Sequence, residues 1–169
     1  MIQPTIEVRT RSLLTAIWKR ASSWSVGAAR TSPQWASPEW HLTARIGDQM
    51  AGSLTLITRT IVASGEPVAI AGVGNVLTRP DYRRIGVASA MLEAAADLMR
   101  GKLGAEFGVL MCRHEVAPLY EKNGWRRVEG PTHFHRPGGI VICPDDTMTL
   151  KLTAREWPLG PIDLCGPPW

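Results

Sequence analysis

The feature that most constrains this chain is a strand that breaks sharply and is followed at once by a long amphipathic helix. The apolar run Val68–Leu77 predicts the strand, and Thr78–Asp81 ends it because Pro80 restricts the backbone there. Arg83–Ala88 (RRIGVA) then opens a helix predicted over residues 85–100, where apolar side chains recur at helical spacing. The first N–H groups of a helix lack helical partners, so this start, with two arginines beside it, can bind a pyrophosphate.

Two other glycine-rich phosphate motifs do not fit this segment. A dinucleotide fingerprint beginning at Gly72 and Gly74 would need its third glycine at position 77, where the chain has Leu77. Those glycines also lie inside the predicted strand rather than after it. A nucleotide P-loop is excluded because no Gly-Lys-Ser/Thr sequence follows. Taken alone, Arg83–Ala88 has an alternative interpretation as an ordinary helix start with a solvated basic turn.

The rest of the pattern predicts one domain over residues 1–169, without an internal repeat or a dividing linker. Turn residues at Gly47-Asp48 and Ser64-Gly65 predict an antiparallel meander of three strands. A loop rich in proline, glycine and histidine separates the last two strands, and the tail after Ala154 is predicted to run as an extended cover. The predicted strands are Ile6–Arg9, His41–Ile46, Gln49–Thr60, Val68–Leu77, Phe107–Cys112, Trp125–Val128 and Met148–Leu152, and the predicted helices are Arg11–Ser22, 85–100 and Glu115–Asn123.

Composition excludes several kinds of protein and partner. No run of about 18 apolar residues is present and the polar N-terminus lacks a signal-peptide core, so we expect a cytoplasmic protein with no membrane partner. Three cysteines without a CxxC spacing argue against a disulfide framework or a zinc ribbon. The net charge of +4 suits a polyanionic ligand, but the basic residues are scattered rather than clustered, so we expect no nucleic-acid partner.

Histidines and one cysteine give a weak hint of a metal site. His133 and His135, with His41 and Cys143, do not form a four-ligand spacing. The residues around the first two alternate as an ordinary strand or loop does. We therefore expect no bound metal ion.

Two motifs resemble those of the GNAT N-acyltransferase superfamily. Arg83–Ala88 resembles its R/Q-x-x-G-x-G/A coenzyme A signature, with alanine in the last position. Leu119–Trp125 (LYEKNGW) resembles the L-Y-x-x-x-G-[FW] segment that follows the fifth strand of these enzymes. Within the superfamily, Leu119–Gly130 and Cys143–Asp146 are most similar to aminoglycoside 2′-N-acetyltransferases, and Glu156–Asp163 is similar to the end of the nodulation N-acyltransferase.

The resemblance implies a GNAT fold of the α/β (α+β) class, in which helices flank a mixed, mostly antiparallel sheet that splays between strands four and five. Acetyl-CoA would be the co-substrate, with its pantetheine arm in the splay and its pyrophosphate on the helix start. One backbone N–H of strand four would polarise the thioester carbonyl. The implied donor-binding residues are Val76, Leu77, Thr78, Arg83, Arg84, Ile85, Gly86, Val87, Ala88 and Ser89.

The resemblance also implies a general acid. In the family, a tyrosine at the place of Tyr120 lies near the thioester sulfur and protonates the departing thiolate. A phenol with its ordinary pKa of about 10 carries its proton at neutral pH and can donate it. A tyrosine packed between helix and sheet is the alternative interpretation.

The sequence leaves the general base open. Aminoglycoside 2′-N-acetyltransferases carry a glutamate in the fourth strand, and the matching position here is Asn75 or its neighbour Gly74. An asparagine cannot remove a proton, although it can orient a water or the substrate amine. The alternatives are His114 and Glu115 after the fifth strand, Asp145 or Asp146 in the late loop, or direct loss of the proton to water.

Acceptor recognition is predicted to fall to residues 23–40, the late loop and the tail. Tryptophans of the first region would line an apolar pocket, although core packing is the commoner role of tryptophan. In the aminoglycoside enzymes the chain ends in a tryptophan whose carboxylate contacts the sugar, and Trp169 offers a matching carboxylate. Residues 8–38 contain no acidic side chain, which favours an amine less basic than a polycationic drug. The predicted acceptor-binding residues are Trp24, Trp35, Asp145, Asp146 and Trp169.

We therefore predict an N-acetyltransferase that moves an acetyl group from acetyl-CoA to a primary amine of a small molecule, an amino sugar being one candidate. Two alternatives stay open: a longer-chain N-acyltransferase that uses an acyl carrier protein as donor, and a non-catalytic coenzyme A-binding module. Small residues near Ala71 and Gly74 would leave room for a longer acyl chain. A homodimer is common in the superfamily, but no sequence feature specifies one.

Overall fold

The computed structural model describes residues 3–10 and 35–169, so the predicted helix Arg11–Ser22 and the predicted site residue Trp24 lie outside the described residues. In the described part, two helices pack on one mixed sheet of ten strands, and neither helix has the length and apolar character to cross a bilayer. The helices are α1 (Val87–Gly101) and α2 (Ala117–Lys122), preceded by 3-10 turns at Pro80–Tyr82 and His114–Val116. The strands are β1 (Thr5–Thr10), β2 (Trp40–Ile46), β3 (Gln49–Ala63), β4 (Glu66–Thr78), β5 (Phe107–Cys112), β6 (Arg126–Arg127), β7 (Thr132–Arg136), β8 (Gly139–Ile142), β9 (Asp146–Lys151) and β10 (Ile162–Asp163).

The strands form a curled sheet in the order β6-β9-β5-β4-β3-β10-β7-β8, with β2 along the first part of β3 and β1 beyond β2. The pairs are antiparallel except β4–β5 and β10–β7. The curl brings the start of β7 near β9, where Thr132 Oγ1 and Thr147 Oγ1 lie 2.7 Å apart. This mixed, mostly antiparallel sheet with flanking helices confirms the predicted fold class.

The sheet splays between its two central parallel strands. β4 and β5 pair only at Ile70–Phe107, Ala71–Gly108 and Gly72–Val109. Beyond Gly72, β4 continues to Thr78 with β3 on one side and no ladder to β5 on the other. The expected opening between strands four and five is therefore present, and it widens toward the end of β4 that leads into α1.

Alternate residues of each central strand face two separate hydrophobic cores. On one face, α1 packs on leucines of β2 and β3, because its apolar residues form a single stripe. That stripe consists of Val87, Met91, Leu92, Ala95, Ala96 and Met99. On the other face, Ile61, Ile70 and Phe107 pack with Ile162 and Leu164 of the tail.

Of the differences from the prediction, three bear on the candidate site. The predicted late loop contains the hairpin of β7 and β8; β8 is exposed throughout, so no buried face marks it in the sequence. The tail contributes β10, which has two residues and is too short to show a period, and its place depends on pairing with the distant strands β3 and β7. Helix α1 begins at Val87 rather than at residue 85 because Gly86 has a φ of 92°, in the left-handed region.

Candidate functional site

Strand β4 carries a bulge where it leaves β5. Thr55 of β3 pairs with Gly74, whereas Ser53 pairs with Leu77, so β4 has one more residue than β3 between these pairs. Asn75 takes up the bulge with a φ of 51°, in the left-handed region that asparagine tolerates better than most residues. Its Nδ2 donates to Thr55 Oγ1 at 3.1 Å and ties the bulge to β3. The structure therefore uses the Asn75 side chain to hold the strand, beside the open edge of the splay.

The end of β4 connects the bulge to the start of α1. Val76, Leu77 and Thr78, the predicted pantetheine contacts, are partly buried along the part of β4 that β5 does not cover. Arg83 Nε donates to the Thr78 carbonyl at 3.2 Å, which fixes the turn ahead of α1 against the strand end. The splay and the helix start thus form one continuous surface.

The turn before α1 has the geometry of an anion-binding nest. Arg84 has a φ of 62° and Gly86 a φ of 92°, so two left-handed residues flank Ile85 just ahead of α1, and backbone turns of this kind form anion-binding nests. The hydrogen bond from Ala90 N to Gly86 O, at 3.0 Å, opens the helical ladder, so the first N–H groups of α1 precede it. The predicted contacts on this turn and helix start therefore lie together: Arg83, Arg84, Ile85, Gly86, Val87, Ala88 and Ser89.

Replacement of Gly86 by alanine is expected to weaken acetyl-CoA binding about tenfold, a loss of about 1.4 kcal/mol. The backbone must leave its φ of +92° to accept a Cβ, and the N–H groups of the nest turn away with it. Titration calorimetry measures the affinity and a melting curve the stability. Gly104→Ala is the matched control, since Gly104 also has a positive φ, +60°, and open space around an added Cβ, but follows α1. Equal losses of affinity in the two variants would contradict a nest at Gly86.

Tyr120 lies on α2 with its side chain 8% exposed and its ring edge-on to Trp125, at 6.3 Å between centroids. The N–H groups of Asn123 and Trp125 both donate to its carbonyl, so the Asn-Gly segment that ends α2 also fixes its position. Burial raises the pKa of the Tyr120 phenol to about 12, with a smaller contribution from the nearby Cys112 thiol. The phenol is therefore neutral at physiological pH and is able to donate a proton.

Two of the candidate bases form one charged cluster. His114 Nδ1 lies 3.0 Å from Asp146 Oδ2, because Asp146 begins β9 opposite the end of β5. Arg127 joins them through Asp146 at 3.2 Å and also binds Glu121 at 2.8 Å. The His114 side chain is 74% exposed, so the cluster lies at the surface. Glu115 and Asp145, the other candidates, are exposed, and no described residue forms an ion pair with either.

The three regions predicted to bind the acceptor converge on one place. Ala36 N donates to the Pro168 carbonyl at 2.7 Å, which brings the neighbouring Trp35 to the tail. Arg136, at the end of β7, lies over the Trp35 ring at 5.6 Å. The Trp169 indole lies against β4, so that a Cβ at Gly72 would be 2.3 Å from its Cε2. Asp146 and His114 contact each other rather than this cluster.

The tail is held in place by Arg59, which the sequence did not single out, and by two histidines that it had weighed as metal ligands. Arg59 of β3 donates from Nη1 to the carbonyls of Leu164 and Pro167, at 3.1 and 2.8 Å, and its guanidinium lies 5.5 Å from the centre of the Trp169 ring. Burial lowers the pKa of Arg59. The two β7 histidines also serve the tail: His133 binds the Ile162 carbonyl and His135 binds Asp163. Among the described residues, no group of three or more potential ligands is placed to hold a metal.

A row of buried polar side chains beside the bulge was also not predicted. His41 and Thr43 of β2 oppose Thr55 and Ser53 of β3, and all four are at most 5% exposed. Burial lowers the pKa of His41, so its imidazole is neutral at neutral pH. The row lies on the face of Gly74 and Trp169, because Thr55 pairs with Gly74. Polar residues that alternate with leucines in β3 indicate a solvent face in a sequence, which is why the row was missed.

Comparisons with known proteins agree with this geometry. A family model described as an acetyltransferase (GNAT) domain matches residues 12–128. An aminoglycoside 2′-N-acetyltransferase from Mycolicibacterium fortuitum is 31% identical over 85 residues, which are 50% of this chain and 43% of that protein. The chain therefore covers less than half the length of this curated relative.

Solved structures share the fold at low sequence identity. A GNAT family acetyltransferase from Elizabethkingia anophelis with acetyl-CoA bound has a TM-score of 0.62 at 14% identity, and the match covers 87% of this chain and 98% of that one. A GNAT family N-acetyltransferase from Escherichia coli in complex with CoA has a TM-score of 0.61 at 15% identity, with 98% and 91% of the two chains covered.

The family match runs from residue 12 to residue 128 and so includes the bulged strand, the nest and the tyrosine helix. The fold agrees with it independently, since β4 and β5 separate where the bulge begins. The chain belongs to the GNAT acetyltransferase family.

Proposed function

We propose that this chain transfers the acetyl group of acetyl-CoA to a primary amine of a small molecule by direct attack of the amine on the thioester. The observation that carries the proposal is the continuous surface from the β4 bulge through Thr78 to the nest at Gly86. A pantetheine arm fits beside the uncovered edge of β4, where backbone groups can pair with its amides. The nest supplies N–H donors for the pyrophosphate at the other end.

The reaction forms a C–N bond and breaks the C–S bond of the thioester. The amine nitrogen attacks the carbonyl carbon, and an N–H left out of the ladder near Val76 stabilises the negative charge on its oxygen. The thiolate leaves with the electron pair of the C–S bond and takes the proton of the Tyr120 hydroxyl. Water returns a proton to the phenolate, and the amine loses its extra proton to water.

The chain offers no carboxylate in place of the glutamate that the aminoglycoside enzymes carry in this strand. Asn75 occupies the position, and its side-chain amide donates a hydrogen bond to the Thr55 hydroxyl. Its neutral surroundings, with Thr55, Ser53 and the buried His41, are suited to orient a water that accepts the amine proton. Proton loss to solvent through this polar row is therefore the base function that we propose, in place of a dedicated carboxylate.

An acetyl donor is favoured over a longer acyl donor by one contact. The indole of Trp169 fills the space over Gly72, where the ladder between β4 and β5 ends. A long acyl chain passing over that face of β4 would have to displace it. The space beside the small residues of β4 is therefore occupied by Trp169 of the same chain rather than left for a longer acyl chain.

The first test is thermal unfolding of the protein with excess acetyl-CoA, CoA or palmitoyl-CoA. Acetyl-CoA at a hundred times its Kd should stabilise the fold by about 2.7 kcal/mol, a rise in Tm of about 5–10 °C for a chain of this size. Thiol release on adding a panel of primary amines then measures turnover. If neither coenzyme A ester raises the Tm, the proposed donor site is refuted and a carrier-protein donor is favoured. A shift without thiol release from any amine would indicate a coenzyme A-binding module that is not an enzyme.

A further inference from the structure

The guanidinium of Arg136 lies over two aromatic rings, and no described residue gives it an acidic partner. Its Cζ lies 4.8 Å from the centre of the Phe134 ring and 5.6 Å from that of Trp35. The Nε atom is buried and has no hydrogen-bond partner in the described structure. Within residues 3–10 and 35–169, no carboxylate forms an ion pair with Arg136. The arginine is half-buried, and an anion that reached its guanidinium would form charge-assisted hydrogen bonds with it.

The rest of the chain does not supply that anion. Residues 11–34 contain four basic side chains, Arg11, Lys19, Arg20 and Arg30, and no acidic one. Asp163 is the acidic residue of the neighbouring β10, and it already binds His135 and the N–H of Cys165. Residues 11–34 therefore have no carboxylate to offer Arg136, and Asp163 is already paired with His135.

Arg136 lies on the acceptor side of the proposed thioester site. Trp35 connects it to the tail, since Ala36 N binds the Pro168 carbonyl. The next residue, Trp169, lies on Gly72, where the splay begins. A small acceptor whose amine reaches the thioester from this face passes the wall formed by these two indoles. Two arginines lie beside these indoles. Arg59 binds carbonyl groups of the tail, whereas Arg136 contacts aromatic rings.

We propose that Arg136 binds an anionic group of the acceptor, so that the substrates are small primary amines that also carry a carboxylate or a phosphate. This inference rests on the proposed acetyl transfer and names its substrate class. A guanidinium over aromatic rings keeps its in-plane N–H groups available for a forked pair of bonds to either oxyanion. The unpaired positive charge of Arg136 disfavours a polycationic acceptor.

The test compares amines that differ only in the anion. β-Alanine and β-alaninamide form the carboxylate pair, and glucosamine 6-phosphate and glucosamine form the phosphate pair. For the wild type, kcat/KM measured by thiol release should be higher for the anionic member of at least one pair. Arg136→Gln should lower the ratio of the two kcat/KM values, anionic over neutral, about tenfold or more, because it removes a charge-assisted hydrogen bond. Comparing the anionic-to-neutral ratio of kcat/KM between the wild type and the variant cancels the difference in amine reactivity within each pair.

Controls separate binding from folding and from turnover. Arg136→Lys keeps the positive charge but loses the forked pair of N–H donors, and should give an intermediate anionic-to-neutral ratio of kcat/KM. Arg126→Gln removes an exposed arginine from a separate groove with Lys151 and Trp157, and should leave the ratio unchanged. Saturation-transfer NMR reports binding of each amine without turnover, so the anionic members should give signals that Arg136→Gln abolishes even if the chain transfers no acetyl group. Equal signals within both pairs, or no signal from either anionic amine, would overturn the inference.

Discussion

Tyr120→Phe is expected to lower kcat for acetyl transfer about 100-fold or more while leaving the affinity for acetyl-CoA nearly unchanged. The substitution removes only the hydroxyl, and the ring keeps its edge-on contact with Trp125. Without a proton donor the sulfur must leave as a free thiolate into a buried site, where developing charge is poorly solvated. Thiol-release kinetics at saturating acetyl-CoA, with titration calorimetry for the donor, measure the two quantities.

The same variant tests whether burial raises the pKa of the Tyr120 phenol. Because the pKa of Tyr120 is raised to about 12, the wild type should keep its proton donor throughout the physiological range and above pH 10. In the unfolded chain the phenol titrates near its ordinary value of 10.0, so the unfolded state loses the proton first and stability falls as pH rises from 10.0 toward 12. Tyr120→Phe should remove this alkaline loss of stability, seen as a smaller fall in Tm above pH 10.0.

Tyr82→Phe is the matched control for a lost tyrosine hydroxyl. Tyr82 is partly buried under the Arg79 guanidinium, at 5.2 Å, and lies in the turn that precedes the nest. Its kcat should stay within about twofold of the wild type, since surface substitutions away from the chemistry usually have small effects. If Tyr120→Phe behaves like Tyr82→Phe in turnover and differs only in stability, the packed-tyrosine interpretation is correct and the general acid lies elsewhere.

The segments predicted to bind the donor, from β4 to α1 and β5, were predictable in structure because their signals are local. Phe107–Cys112 has the same bounds in sequence and structure, since a strand buried on both faces is a continuous apolar run. The nest at Gly86 follows from one glycine and two arginines ahead of a helical stripe. The family resemblance added the roles of these segments, and the comparisons confirmed the family.

The rest of the candidate site depends on contacts between segments that are distant in sequence. The bulge at Asn75 arises from a register slip against β3, and only the left-handed tolerance of asparagine hints at it. Arg59 is an unremarkable strand residue until the tail, over 100 positions later, offers it two carbonyl groups. The choice among candidate bases could not be settled for the same reason: His114 and Asp146 are 32 positions apart, and their pairing depends on the β5–β9 register.

Gly72→Ala is expected to displace Trp169 and to lower kcat/KM for the acceptor about 100-fold. A shift of about 1 Å in residues that position a substrate can slow its reaction by this factor. The added Cβ would lie 2.3 Å from Cε2 and 2.7 Å from Nε1 of the indole. The indole must move, because β4 is hydrogen-bonded at Gly72 to β3 on one side and to β5 on the other. Overpacking of this kind costs about 1–3 kcal/mol of unfolding free energy. The rise in Tm on adding acetyl-CoA should persist, since the nest is untouched.

A double-mutant cycle shows whether that contact is the cause. Trp169→Ala removes the indole, so adding Gly72→Ala in that background has nothing to displace and should change the unfolding free energy by less than about 0.5 kcal/mol. Gly101→Ala is the matched glycine control, because no atom lies within 4 Å of a Cβ there and its backbone is helical. An equal cost of Gly72→Ala with and without the indole would mean that the strand itself rejects a side chain. In that case Trp169 would be a passive neighbour of β4, and the acceptor wall would have to be sought on Trp35 and Arg136 alone.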